Sequence, residues 1–196
     1  MKRLCALMLS AATLLAAGCG SQPPTRYFDL NVKASELESS IDEHVTLGIG
    51  PVDLPKLLDR PGIVSRHHET GVTVAGFHIW ADELEAAFTR VLTDTLATNL
   101  NHKQLWGYPW DNRFRPEYQL RVFVDRFSGE LNGPVEMSLS WTLLRDFGQT
   151  AVFTDRYRAR LDSTGGYPGY VNTLNQLLAD FANEAANRLA AELANN

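Results

Sequence analysis

Two stretches of the chain carry apolar side chains at three- and four-residue intervals. Leu84, Phe88, Val91, Leu92, Leu96 and Leu100 fall on one stripe, which predicts a helix over residues 82–100 that buries a single face. Asp82 with Glu85 three positions on reads as a capping box for its start, just after Trp80. Val171, Leu174, Leu177, Leu178, Phe181, Ala185, Leu189 and Leu193 predict a second one-sided helix from about Tyr170 to Leu193. Between them the period drops to two. Tyr118, Leu120, Val122 and Val124 share one face of a strand; Val135, Met137, Leu139, Trp141 and Leu143 share a face of the next. Phe153, Tyr157, Ala159 and Leu161 follow on a third. The segments GELNGP and DFGQ mark the turns of this antiparallel meander.

Upstream, YFDLNV (residues 27–32) alternates as a first strand, and VTLGIGPVDLP (45–55) reads as a second, stopped by Pro55. The polar KASELESSIDEH between them is compatible with a loop or one exposed helical turn. GIVSRH and GVTVAG flank a polar tip and predict a hairpin around residues 62–76. Long antiparallel strands with two one-sided helices make an α/β fold. Its simplest form is a two-layer sandwich, a mainly antiparallel sheet with both long helices on one face. No internal repeat, low-complexity tract or second domain boundary interrupts residues 27–196.

The first residues break this pattern. Lys2 and Arg3 precede the apolar run LCALMLSAATLLAA, which ends at Gly18-Cys19. A run of that length is short of the ~20 residues of a membrane-spanning helix and has the layout of an export signal over residues 1–18. Its end, LAAGCGS, resembles a bacterial lipoprotein signal, in which the cysteine is lipidated and becomes the first mature residue. Cys19 is the candidate, with Ala16 where that pattern usually has leucine. The other cysteine, Cys5, lies inside the signal, so the processed chain has no partner for a disulfide, and acylation removes the unpaired thiol. Gly20 after the cysteine, in place of aspartate, points to outer-membrane sorting. Residues 19–26 then form a tether; from Cys19 to Tyr27 it spans at most roughly 25–30 Å.

The composition is that of a globular protein: of 196 residues, 44% are apolar and 21% charged. With Lys2 and Arg3 gone, 16 basic residues face 23 acidic ones, a formal net charge of −7. That excess argues against nucleic acid as a partner.

Candidate chemistry is sparse. In LPKLLDRPGIVSRHHETG, residues 54–71, Asp59, Arg60, His67 and His68 lie close together. Adjacent strand residues point to opposite faces, so His67 and His68 cannot share a metal there; His78 is ten residues on, and no HExxH-like spacing occurs. Asp82, Glu83 and Glu85 could pair with Asp59 as catalytic carboxylates, but capping accounts for Asp82 and Glu85 more simply. There is no GxSxG elbow and no phosphate-binding loop; Gly165-Gly166 reads as the connection into the last helix. No metal, cofactor or catalytic residue is expected. The aromatic segment LWGYPWDNRFRPEY holds Trp106, Tyr108, Trp110, Phe114 and Tyr118, too many for a solvated loop unless some are buried or meet another protein. Arg156, Arg158 and Arg160 line the polar side of the third meander strand. A solvated face explains them more simply than docking to an acidic partner or to lipid headgroups.

The run VTLGIGPVDLPKLLDRPGIVSR, then IWADELEAAFTRVLTDTLATNL, then GYPW and YQLRVFVDRF, resembles the PqiC family of ABC-type transport auxiliary lipoproteins. Members carry an LPxYLDRPxIVxR strand end, a WAEPL-like helix start and a YPW segment. Here Leu57 stands where tyrosine is frequent, and WADEL replaces WAEPL. The resemblance spans essentially the whole mature chain. It implies a non-enzymatic, outer-membrane-side subunit of an MCE-type lipid transporter, with an MCE-domain protein and inner-membrane permease components as partners. Phospholipid contact and a homo-oligomeric ring belong to the same implied set. A structural envelope-integrity lipoprotein without a transport role is the alternative. The family-marking positions carried over as partner-binding candidates are Leu58, Asp59, Arg60, Pro61, Trp80 and Trp110, to which the aromatic segment adds Trp106. The LDRP turn, bracketed by Pro55 and Pro61, would present its residues to a neighbour.

Overall fold

The computed structural model describes residues 22–33, 40–68, 70–111 and 113–194. The signal segment and Cys19 lie outside them. In chain order the elements are β1 (Arg26–Phe28), β2 (Leu47–Asp53), β3 (Gly62–His67), β4 (Gly71–Trp80), α1 (Leu84–Asn99), β5 (Leu105–Gly107), β6 (Tyr118–Gly129), β7 (Pro134–Arg145), β8 (Thr150–Asp162) and α2 (Gly166–Leu193). The fold class is the α/β arrangement expected, with the helices packed on the sheet. α1 lies over β2 and β5, α2 lies over β7 and β8, and the two helices touch side by side.

The strands divide into two sheets. The larger has the order β5-β2-β6-β7-β8 and the smaller β1-β4-β3. The meander β6-β7-β8 is antiparallel, as its alternation predicts, and β7 follows it without a fault: Val135, Met137, Leu139, Trp141 and Leu143 are buried while the residues between them are half-exposed. β2, however, pairs parallel with both β5 and β6, and β1 pairs parallel with the end of β4. Those parallel pairings have no local sequence signal, because their partners are brought in by crossovers through α1 and the loops.

Several boundaries move for identifiable reasons. β1 ends at Phe28, and Asp29 leaves the ladder to meet the Arg90 guanidinium at 3.0 Å. β4 runs to Trp80, four residues beyond the expected hairpin, because its end takes β1 as a partner. The expected capping box does not form. Chain entry is held by strand-type bonds, with the Trp80 N–H donating to the Pro61 carbonyl at 2.8 Å and the Ala81 N–H to Phe28 at 2.7 Å. The helix therefore starts at Leu84 with Glu83 as its cap residue, and the Asp82 carboxylate accepts the adjacent Glu83 N–H instead. α2 begins four residues earlier than its apolar stripe, with Gly165 and Gly166 at positive φ making the turn into it.

β6 contains a bulge between Val124 and Arg126. Strict alternation would turn Arg126 inward with Val124. The extra residue, Asp125, lets both Asp125 and Arg126 face out and brings Phe127 into the core.

The two sheets meet where β3 runs beside the end of β6, past the last residue of β2. One hydroxyl joins them. The fully buried Tyr170 of α2 accepts a hydrogen bond from the Gly129 N–H of β6 at 2.9 Å and donates to the Val64 carbonyl of β3 at 2.9 Å. On the outer side of the same seam, Arg66 Nε donates to Ser128 Oγ at 2.9 Å. Burial pushes the Tyr170 phenol up to about 12.

Tyr170→Phe removes the shared hydroxyl and strands a buried N–H and carbonyl, which costs about 1–3 kcal/mol; a urea unfolding midpoint measures it. The folded chain also holds the Tyr170 proton more tightly than the unfolded chain, so stability from this group is present below pH 10 and is lost as the pH rises toward about 12. Tyr170→Phe shows a shallower alkaline loss than the parent, and an identical slope would exclude this phenol as its source.

Candidate functional site

The LDRP turn is built by short-range backbone bonds. The Leu58 N–H donates to Pro55 at 2.8 Å, the Arg60 N–H to Leu58 at 2.9 Å, and Pro61 then hands the chain to β3. Leu58 points into the core and is almost wholly buried; Asp59, Arg60 and Pro61 are exposed. A buried foot and an exposed tip are what a rigid presenting turn needs.

Trp80 sits behind this turn. It is buried, and its backbone bond to Pro61 fixes the turn against the start of α1. An open cavity of about 410 Å³ lies between Asp59, Arg60, Pro61, Trp80 and residues 81–84. A second, of about 470 Å³, adjoins it through Asp59 and Leu84 and extends to Glu85, Thr89, Tyr108 and Pro109. Thus the LDRP turn, the WADEL helix start and the YPW segment, spread over some fifty positions of sequence, form one corner of the molecule.

The tryptophans of the aromatic segment have a different place. Trp106 and Trp110 are half-buried on the sheet face away from the helices. Trp106 packs on Phe114 with ring centroids 4.2 Å apart, and Trp110 meets Tyr108 edge to face at 5.3 Å. Trp110 lies over Gly48 of β2: a Cβ there would come within 2.6 Å of Pro116 Cγ and 2.8 Å of the indole. The aromatic density is therefore absorbed largely by the chain itself, and Tyr108, 48% exposed, carries the segment to the corner. Tyr108 and Pro109 are corner residues outside the partner-binding candidates drawn from the sequence, where Tyr108 counts only among the segment's aromatics. The signal was present in YPW, but the tryptophans drew the weight.

The corner is acidic. Burial comes first, and the like charges of Asp53, Asp59 and Glu83 add to it, in raising the Glu85 carboxyl above its ordinary value of 4.5. Neither Asp59 nor Arg60 has an ion-pair partner among the described residues.

The histidines are dispersed. His67 ends β3 and its Nδ1 lies 3.3 Å from Thr73 Oγ1; His68 has left the strand at φ 54°; His78 stacks on Tyr167 at 4.0 Å. Buried His102, which sequence reasoning passed over, sits with Nε2 2.8 Å from the Val45 carbonyl. Among the described residues no three His, Cys, Asp or Glu side chains converge in a way that could hold a metal ion. No helix among them is long and apolar enough to cross a membrane.

Because Glu85 binds its proton more tightly in the folded chain, its contribution to stability is complete below pH 4.5 and declines as the pH rises above it. Asp59→Asn lowers the Glu85 midpoint toward 4.5 without reaching it, since burial is the larger cause. Side-chain carboxyl NMR titration reads both midpoints, and an unmoved Glu85 would mean that the turn and the helix start are electrostatically independent.

Among the solved structures that resemble this chain, two share its fold over nearly their whole length. A protein described as uncharacterized is 21% identical, with 85% of this chain and 99% of its own length covered and a TM-score of 0.71. A DUF330 protein from Xanthomonas campestris is 15% identical, with 86% and 96% covered and a TM-score of 0.73. At those identities the likeness is one of architecture. No curated protein matches the chain. The sequence model of one family matches residues 28–186, a span that holds the LDRP turn, the helix start and the YPW segment together: the chain belongs to the ABC-type transport auxiliary lipoprotein component family.

Proposed function

We propose that this protein is an outer-membrane-anchored, periplasmic and non-catalytic subunit of an MCE/ABC-type system that moves lipids between membranes. Residues 1–18 are its signal, Cys19 carries the lipid, residues 19–26 are the tether, and residues 27–196 are the folded body. Membership of an auxiliary transport lipoprotein family supports the coarse reading. The finer one rests on the corner where Asp59, Arg60 and Pro61 stand exposed on the buried Leu58 and Trp80.

Such a corner suits docking better than chemistry. Its exposed charges are held on a turn with little conformational freedom to lose on association, which lowers the cost of binding. In this reading Leu58 and Trp80 set the turn's position, Trp110 and Trp106 fix the aromatic segment on the sheet, and Asp59, Arg60 and Tyr108 meet the MCE-domain partner. The inner-membrane permease is reached through that partner.

Asp59→Ala and Arg60→Ala, both at exposed positions, leave thermal stability within about 0.5 kcal/mol of the parent. Each reduces co-purification with the MCE-domain protein by roughly fivefold or more, the effect of a residue contributing over 1 kcal/mol to an interface. Loss of folded protein, or undiminished co-purification, rejects the docking role. Cys19→Ala releases the chain from the membrane fraction into the soluble periplasm without unfolding it; unchanged fractionation would sink the anchor.

A further inference from the structure

The face of the larger sheet that looks away from the helices is open over β6, β7 and β8, and it is basic. Strand register sets its rows: Arg121 beside Thr142 and Thr154, Phe123 beside Ser140 and Arg156, Arg126 beside Ser138 and Arg158, Ser128 beside Glu136 and Arg160. Five arginines thus share one surface on a chain whose net charge is −5. Arg126 is among them only because of the bulge at Asp125. Of the carboxylates on this face, Glu136 is shared by Arg126 at 3.3 Å and Arg158 at 3.2 Å, while Asp53 beside Phe123 at the β2 border and Asp125 in the bulge form no ion pair with these arginines among the described residues. Arg121, Arg156 and Arg160 have no carboxylate partner among the described residues. At the end of the face the rows open into a cavity of about 380 Å³, where Arg66, pinned by Ser128, joins Arg126 and Arg160 beside the carboxylates of Glu130 and Glu136.

We propose that this sheet face docks on the anionic phospholipid headgroups of the bilayer to which the protein is tethered. Charge complementarity is the first argument: unpaired guanidinium groups concentrated on one face of an acidic protein match a phosphate-bearing surface. Side-chain type is the second. All five cations are arginine, whose planar fork engages phosphate oxygens two at a time, whereas lysine offers a point charge. The third is Phe123, which stands 57% exposed in the middle of the arginines, an apolar ring placed to enter the boundary between headgroups and acyl chains. This inference rests on the membrane attachment proposed above and is independent of the MCE partner.

The test uses the full lipidated protein in nanodiscs of phosphatidylcholine alone and of phosphatidylcholine with phosphatidylglycerol, read by amide hydrogen exchange. Co-elution of protein with discs of both kinds reports the anchor by itself, so a failed anchor is distinguished from a failed sheet face. The expected result is slower exchange in β6 and β8 in the anionic discs only, abolished in 1 M salt, where the Debye length falls to about 3 Å. Replacing Arg156, Arg158 and Arg160 by glutamine weakens the protection by roughly fivefold for each arginine removed. The thermal midpoint of that triple variant stays at the parental value, which separates lost docking from lost folding. Equal exchange in the two kinds of disc overturns the proposal. So does protection that arises in neutral discs once periplasmic extract is added, which would make the face a protein-docking surface.

Discussion

The hydroxyl of Tyr170 is the point on which the two sheets depend. It accepts from β6 and donates to β3, so a single buried atom uses both of its hydrogen-bonding roles to hold elements from separate sheets to one helix. The geometry has consequences well beyond the seam. β3 begins at Gly62, directly after the LDRP turn, so fixing β3 against β6 also fixes where that turn emerges. The bond from Trp80 to Pro61 then ties the same point to the start of α1. On the outer side, the neighbouring pair Arg66–Ser128 brings a β3 guanidinium to the end of the arginine rows. Both candidate surfaces are therefore oriented by one interior contact.

Charge is distributed unevenly around that frame. Carboxylates gather at the end of β2 and the start of α1, closely enough for their repulsion to reach Glu85. Guanidinium groups gather on the outer face of β6 and β8. A net charge of −5 conceals this division. Register between strands is what assembles the basic surface. Arg121 and Arg126 come from one strand and Arg156, Arg158 and Arg160 from another two places away in the sheet.

The parts of the fold legible in the sequence are those whose signal is local. Two helical stripes and the β6-β7-β8 alternation specify the helix–sheet packing, because each buries a face whose period is visible within a dozen residues. The parallel pairing of β2 with β5 and β6 is not legible, since nothing in LGIGPVD distinguishes a parallel neighbour from an antiparallel one. The Asp125 bulge leaves only a faint trace: in RVFVDRF the face of Val122 and Val124 would next hold Arg126, and Phe127 takes the core position one residue later. The capping box illustrates a local rule overridden by tertiary bonds, as strand contacts at Trp80 and Ala81 delay the helix. For the candidate site, LDRP and YPW are visible as motifs, but their meeting at one corner is a product of the crossover through α1. Trp106 and Trp110 stand out in the sequence by size. Their environment gives them to the sheet, and the smaller Tyr108 reaches the corner.

The two surfaces adjoin, yet they are separable. The row Asp53–Phe123–Ser140–Arg156 runs across β2, β6, β7 and β8 from the acidic corner into the arginine face. With neighbouring strands about 4.8 Å apart, three spacings put its charged ends roughly 14 Å from each other. That exceeds the ~8 Å Debye length at physiological ionic strength, and both ends face solvent. A change of charge at the Asp53 end therefore leaves the potential over Arg156 nearly unaltered, and substitutions at sites this far apart with no shared partner combine additively. A tethered protein organised in this way can hold a partner at its corner while its sheet face rests on lipid, because neither contact requires the other to be released.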